Sequence, residues 1–301
     1  MVELAVSTFG LHANLGPIRL SRRDDAGNRV PFVWEQPQTL SLLEFPRQVR
    51  ERLDIRQVEI CQFHIPSLER SYLDQLKQAL SDAGVTVANI PIDVGNISAA
   101  REDFRESDLQ EIERWIDVAA YLGSPMVRVN ASAPMSQEAL GPIEVTIASY
   151  RRLAAYAATQ GVTMLIENHG GITADPETIV QIVRSVGPDV LKTCVDVGNF
   201  EPVMSAQMRG LAPGSYDPSP LYTGLAMIAP YAGMLHAKTM SFDEHGQHVG
   251  WDVVKALRIV LDAGYHGVVS LEYGGGQDEW NNTLRTKQLV KEAIHGDGAQ
   301  A

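Results

Sequence analysis

Cysteine is scarce: the 301-residue chain has only Cys61 and Cys194, each inside an apolar run, so two inert buried thiols are expected rather than a disulfide or a nucleophile. Basic charge is also short. The 25 Lys plus Arg face 37 Asp plus Glu, a formal net charge of -12, and the basic pair Arg22-Arg23 is followed at once by Asp24-Asp25. Such a surface repels a phosphate backbone or an anionic membrane, so neither nucleic acid nor membrane is an expected partner. No apolar run approaches the ~18–20 residues that span a bilayer. The opening MVELAVSTFG lacks the basic stretch and small-residue cleavage site of a signal peptide, which points to a soluble cytoplasmic protein. A GxGxxG loop after an early strand is missing too, and with it the main support for a doubly wound nucleotide-binding sheet.

What is present is a 45% hydrophobic composition, enough for a large core, and an alternation of short β-branched runs with longer helical patterns. Strands are predicted at Leu4–Phe9, Gln57–His64, Val85–Ile92, Met126–Val129, Val162–Glu167, Leu191–Asp196, Gly233–Lys238 and Gly267–Glu272. Helices are predicted near Leu40–Leu53, Leu68–Ala83, Ser107–Leu122, Ile143–Gln160, Pro176–Val186, Pro220–Ala229, Trp251–Ala263 and Asn282–Ile294. Eight strands, each followed by a helix, predict one (β/α)8 barrel domain over residues 1–301, with 296–301 as a frayed tail. Two connections, Leu11–Gln38 and Glu201–Ser219, are longer than a barrel needs and read as lids or as oligomer contacts.

In a barrel, polar residues at the C-terminal ends of strands share one cleft. The fifth strand ends in MLIENHGG, the sixth in TCVDVGNF, the seventh in MLHAKTM and the eighth in VVSLEYGGG, placing Glu167, Asp196, His236 and Glu272 at corresponding positions. Three carboxylates and one imidazole suit a hard divalent cation such as Mn²⁺, Mg²⁺ or Co²⁺. His169 would face the same cleft as a further base, or cap the loop that follows. His64, Asn130, Asn199, Lys238 and Trp34 are candidates for gripping substrate, His64 alternatively serving as wall. Arg128 is expected to pair with an interior acid.

These residues, with the phrases IENHGG, CVDVGNF and GYHGVVSLEY, resemble the xylose-isomerase-like superfamily of sugar isomerases and epimerases. The resemblance implies one metal ion, Mn²⁺ in the first place, held by Glu167, Asp196, His236 and Glu272. It also implies Glu167 and Glu272 as an opposed acid–base pair acting through an enediolate. Ketose 3-epimerases of this superfamily carry a His three residues after the sixth-strand Asp and an Arg in the loop after the seventh-strand His, where this chain offers Asn199 and Lys238. Those departures open a second reading, a lyase or dehydratase acting on a 3-oxo-glycoside or inosose with His169 assisting. The superfamily's abasic-site endonucleases need more His ligands and a basic face, and a barrel without catalysis would have no use for the two Glu. A small sugar or sugar derivative is the expected partner, and the resemblance implies a homo-oligomer.

Overall fold

The computed structural model describes residues 2–24, 27–132, 136, 138–212 and 214–296. In chain order these form β1 (Glu3–Ser7), a hairpin of β2 (Ile18–Arg23) and β3 (Arg29–Trp34), α1 (Phe45–Leu53), β4 (Gln57–Glu59), α2 (Arg70–Ala83), β5 (Thr86–Ile92), α3 (Glu102–Leu122), β6 (Met126–Val129) and α4 (Ile143–Thr159). There follow β7 (Thr163–Glu167), α5 (Pro176–Val186), β8 (Leu191–Asp196), α6 (Val203–Arg209), α7 (Ser219–Ile228), β9 (Ala232–Thr239), α8 (Val253–Asp262), β10 (Val268–Tyr273) and α9 (Glu279–His295). Eight strands close in the order β1-β10-β9-β8-β7-β6-β5-β4, with β1 pairing in parallel to both β10 and β4. The predicted (β/α)8 barrel is therefore present. The expected frayed tail lies, apart from Gly296, outside the described residues.

Side chains alternate in and out along a strand, so residues two apart share a face. Ala5, Ala88, Leu165, Cys194 and Met234 form an apolar layer inside the barrel. Two residues beyond Leu165, Cys194 and Met234 stand Glu167, Asp196 and His236, which makes the next layer up polar. The larger core, which includes Val6, Leu76, Ile116, Leu153, Ile182 and Leu257, packs the helices against the outside of the strands.

Several details differ from the sequence expectation, and the connection Glu201–Ser219 includes the helix α6. The segment Leu11–Gln38 is not only loop: it carries the β2–β3 hairpin, whose Ile18 and Leu20 pack with Cys61, Phe63 and Phe9. Helix α3 begins at Glu102, five residues before the predicted start, and carries Glu102 and Asp103 in its first turn, where acids offset the positive end of the helix dipole. Strand β4 stops at Glu59, and Gln62–His64 forms a 3-10 turn.

Candidate metal and substrate site

The polar layer converges on one nitrogen. His236 Nδ1 lies 3.3 Å from Glu167 Oε1, 3.4 Å from Glu272 Oε2 and 3.9 Å from Asp196 Oδ2. It is buried and makes no hydrogen bond. Its partner nitrogen Nε2 sits 2.9 Å from Glu59 Oε2 and 3.2 Å from Cys194 Sγ. Ligand atoms about 2.1 Å from a shared cation stand about 3.0 Å apart when adjacent and about 4.2 Å when opposite. The Nδ1-to-oxygen distances fall within that span. Glu167, Asp196 and His236 bring ligand atoms within 4.8 Å of one another, and Glu272 does so with His236 and Glu59; carboxylate oxygens with one imidazole are a hard-cation donor set. The residues present fit a divalent metal.

Local structure fixes each ligand. The Gly198 backbone N–H donates to Asp196 Oδ1 at 2.7 Å, while the Asn168 side chain clamps the Asp196 backbone through two 2.9 Å hydrogen bonds. Glycine is required at 198, since a Cβ there would stand 2.9 Å from Trp251 and 3.2 Å from the Lys238 stem. Burial would raise the Glu167 pKa, but the Arg128 guanidinium, with Nε 2.9 Å from Oε2, and His236 hold it well below the carboxylate range. Asp196 goes the other way. Burial raises it to about 7, Lys238 opposing and the Glu272 and Glu167 charges adding to the rise. Burial would lower His236 and Lys238, yet both are held above their ordinary values: His236 by Cys194 and Glu59, Lys238 by Asp196 and Glu272.

The other predicted residues divide between two sides. Lys238 Nζ donates to Asn199 Oδ1 at 2.9 Å and lies 3.3 Å from Glu272, and Asn199 Nδ2 reaches Glu167 Oε1 at 3.3 Å, so both belong to the cluster. Asn130 donates to Asp93 at 2.8 Å, and Asp93 also pairs with Arg128, as an interior acid was expected to do. Asn130 Oδ1 remains buried without a partner. His169 is half-buried and stands within electrostatic reach of Glu167. Its backbone N–H donates to Thr173 Oγ1, so the alternative of a loop-capping side chain has no hydrogen bond among the described residues to support it.

His64 and Trp34 share none of the cluster's bonds. They stand at the two ends of a run of rings: Trp34 to His12 (centroids 5.7 Å apart), His12 stacked on Phe9 (4.9 Å), Phe9 to Phe63 (6.4 Å) and Phe63 to His64 (4.7 Å). The Trp34 end is 46% exposed, whereas His64 is 4% exposed with neither ring nitrogen bonded. A Cβ on Gly274, two residues beyond Glu272, would stand 3.9 Å from the Phe9 ring, which puts that ring near the segment following Glu272. Sequence reasoning missed Glu59 and His12. For Glu59 a signal existed: an acid inside QVEIC, a run otherwise suited to the barrel interior.

Both cysteines are buried as expected, and burial raises both thiols, Cys194 to about 12. His245 is exposed, whereas His248 packs edge-on against Trp251 at 4.5 Å. Among the described residues no helix is long and apolar enough to cross a membrane.

A family model described as xylose isomerase-like TIM barrel matches residues 49–294. Two curated proteins, C-glycoside deglycosidase alpha subunits of Arthrobacter globiformis and Microbacterium trichothecenolyticum, are 23% and 24% identical to this chain over 78% of its length and 78% of theirs. Among solved structures, an L-ribulose 3-epimerase superposes with a TM-score of 0.69 at 14% identity, covering 98% of this chain and 96% of that one. A xylose isomerase-like barrel protein from Mycobacterium smegmatis in complex with magnesium gives 0.64 at 19% identity, covering 98% of both. At these identities the structural likeness is one of fold.

Proposed function

The chain belongs to the xylose isomerase-like TIM barrel family, and from that premise we propose that it is a divalent-metal-dependent enzyme that removes a proton beside the carbonyl of a sugar derivative. One observation carries the proposal: the unbonded, buried His236 Nδ1 faced by oxygens of Glu167, Asp196 and Glu272. A divalent cation held there, Mn²⁺ first and Mg²⁺ or Co²⁺ as alternatives, would polarise the substrate carbonyl and stabilise the enediolate. Glu167, kept ionised by Arg128, accepts the carbon-bound proton. Glu272 supplies the second carboxylate and is held by Lys238, whose charge offsets the acids around it. Asn199, fixed between Lys238 and Glu167, orients without exchanging protons.

Elimination from a 3-oxo-glycoside is the outcome best supported. The base takes the proton from the carbon between the carbonyl and the glycosidic carbon, the bond to the aglycone breaks, and His169 returns a proton to the leaving atom. Trp34, 46% exposed at one end of the run of rings, offers a planar aglycone a stacking face, with His64 and Asn130 Oδ1 as unpartnered polar groups for the sugar hydroxyls. The deglycosidase relatives support the same outcome. Epimerisation is the second reading. It is favoured by Glu167 and Glu272 flanking one ion position, from which one could withdraw a proton and the other return it.

The test is to incubate Mn²⁺-loaded protein with 3-oxo derivatives of aryl glycosides and, separately, with ketohexoses, and to identify products by chromatography. Free aglycone is expected from the first set, with kcat falling at least ~100-fold in Glu167→Gln. Epimer from the ketohexoses alone would select the second reading. Neither product from a protein that binds its ion would overturn both.

A further inference from the structure

We infer that Glu59 is a positioning residue for the metal centre, fixing His236 in the tautomer and orientation that present Nδ1 to the three acids. The inference rests on the proposed metal centre and extends it to a residue outside the ligand set. Glu59 lies on β4, fully buried, 177 positions from His236 in sequence and separated from β9 by β1 and β10 in the barrel. Its Oε2 stands 2.9 Å from His236 Nε2 and also accepts a 3.0 Å hydrogen bond from Asn89 Nδ2, which sets the carboxylate plane from the neighbouring strand.

An ionised carboxylate can only accept, so the short contact places the ring proton on Nε2. In a neutral imidazole the lone pair then belongs to Nδ1, the nitrogen facing Glu167, Asp196 and Glu272. Metal-binding histidines commonly anchor their second nitrogen this way, and losing the anchor costs roughly 10–100-fold in metal affinity. Glu59 is close enough to His236 and Glu272 to form a ligand trio on distance alone. The arrangement speaks against that use, because its contact is with Nε2, where Cys194 Sγ crowds the same nitrogen at 3.2 Å. The three other acids lie around Nδ1.

Two measurements test this. First, metal-free wild type and Glu59→Gln are titrated with Mn²⁺, reading the free ion by its electron paramagnetic resonance signal, with thermal unfolding of both metal-free proteins alongside. A 10–100-fold weaker affinity, with the metal-free unfolding temperature little changed, is expected. Equal affinity overturns the inference. Second, ¹⁵N spectra of Mg²⁺-loaded wild type should show His236 with Nε2 protonated and Nδ1 unprotonated; a proton on Nδ1 overturns it even if the variant fails to fold. Neither readout needs turnover. Wild type that binds no Mn²⁺ would sink the metal centre itself, whereas tight binding unaffected by Glu59→Gln removes only the role of Glu59.

Discussion

His64 combines deep burial with two unpartnered ring nitrogens, and burial, aided by the charges of His12 and Arg19, lowers its pKa from 6.5 to about 3. Between those values the unfolded chain holds a proton that the folded chain does not. The stability this group contributes is complete above pH 6.5 and is lost progressively on acidification toward pH 3. Asp196, raised from 3.8 to about 7, acts in the opposite sense over much of the same range, so the effect of His64 is isolated by difference. On going from pH 7 to pH 4, His64→Gln should lose less stability than wild type in urea unfolding. Parallel curves would show that the imidazole is not held neutral in the fold. At neutral pH the uncharged ring can donate from one nitrogen and accept at the other, which is what a sugar hydroxyl needs.

The β2–β3 hairpin is an element whose position depends on a few charges. Arg23 and Arg29 face each other across it, a like-charge pair that would by itself push the strands apart. Asp108 on α3, 2% exposed, binds both guanidiniums, Glu111 takes Arg29, and Glu138 lies 2.9 Å from Arg23. Asp108→Ala removes the acid shared by the two guanidiniums, leaving Arg23 with Glu138 and Arg29 with Glu111, and removes the acceptor for the Asn96 backbone N–H. A loss of about 3 kcal/mol is expected. Hydrogen exchange should quicken in residues 18–34, which carry Trp34, and stay unchanged in β7 to β10. Uniform quickening would mean that the hairpin is not a separately tethered element. The hairpin was hard to see in the sequence because its strands, IRLSRR and RVPFVW, carry charges and a proline, and the acids that neutralise them lie from 79 to 115 positions away. The barrel strands were legible for the opposite reason: each is buried on both faces, so the apolar signal is nearly continuous.

At the scale of the whole molecule, closure of the barrel turns strand-end residues scattered over a hundred positions into one cluster. That logic made Glu167, Asp196, His236 and Glu272 readable from sequence. It failed for Glu59, because the predicted strand ran to His64 whereas β4 ends at Glu59, which hid the acid inside an apolar run. The same closure buries the acids together, which raises the Asp196 pKa to about 7. A cation entering the cluster has to displace the Asp196 proton and also a proton of His236, which is held above its ordinary value, so apparent Mn²⁺ affinity should climb as pH rises through about 7 without levelling there, with proton release on binding. Calorimetric titrations at several pH values, in buffers of different ionisation enthalpy, check this; affinity independent of pH would contradict it. Saturation should stabilise the fold by about 2.7 kcal/mol at a free ion concentration of 100 times Kd.

The central claim is that these converged carboxylates move a carbon-bound proton. Its most direct test is to run the Mn²⁺-loaded protein in D₂O with a 3-oxo-glycoside and examine both the recovered substrate and the product by mass spectrometry and proton NMR. With wild type the hydrogen at the carbon beside the carbonyl is expected to be exchanged for deuterium in recovered or epimerised sugar and to be lost in eliminated product, both processes slowed at least ~100-fold in Glu167→Gln and Glu272→Gln. Incorporation undiminished in both variants, or product that keeps the original hydrogen on that carbon, would contradict it.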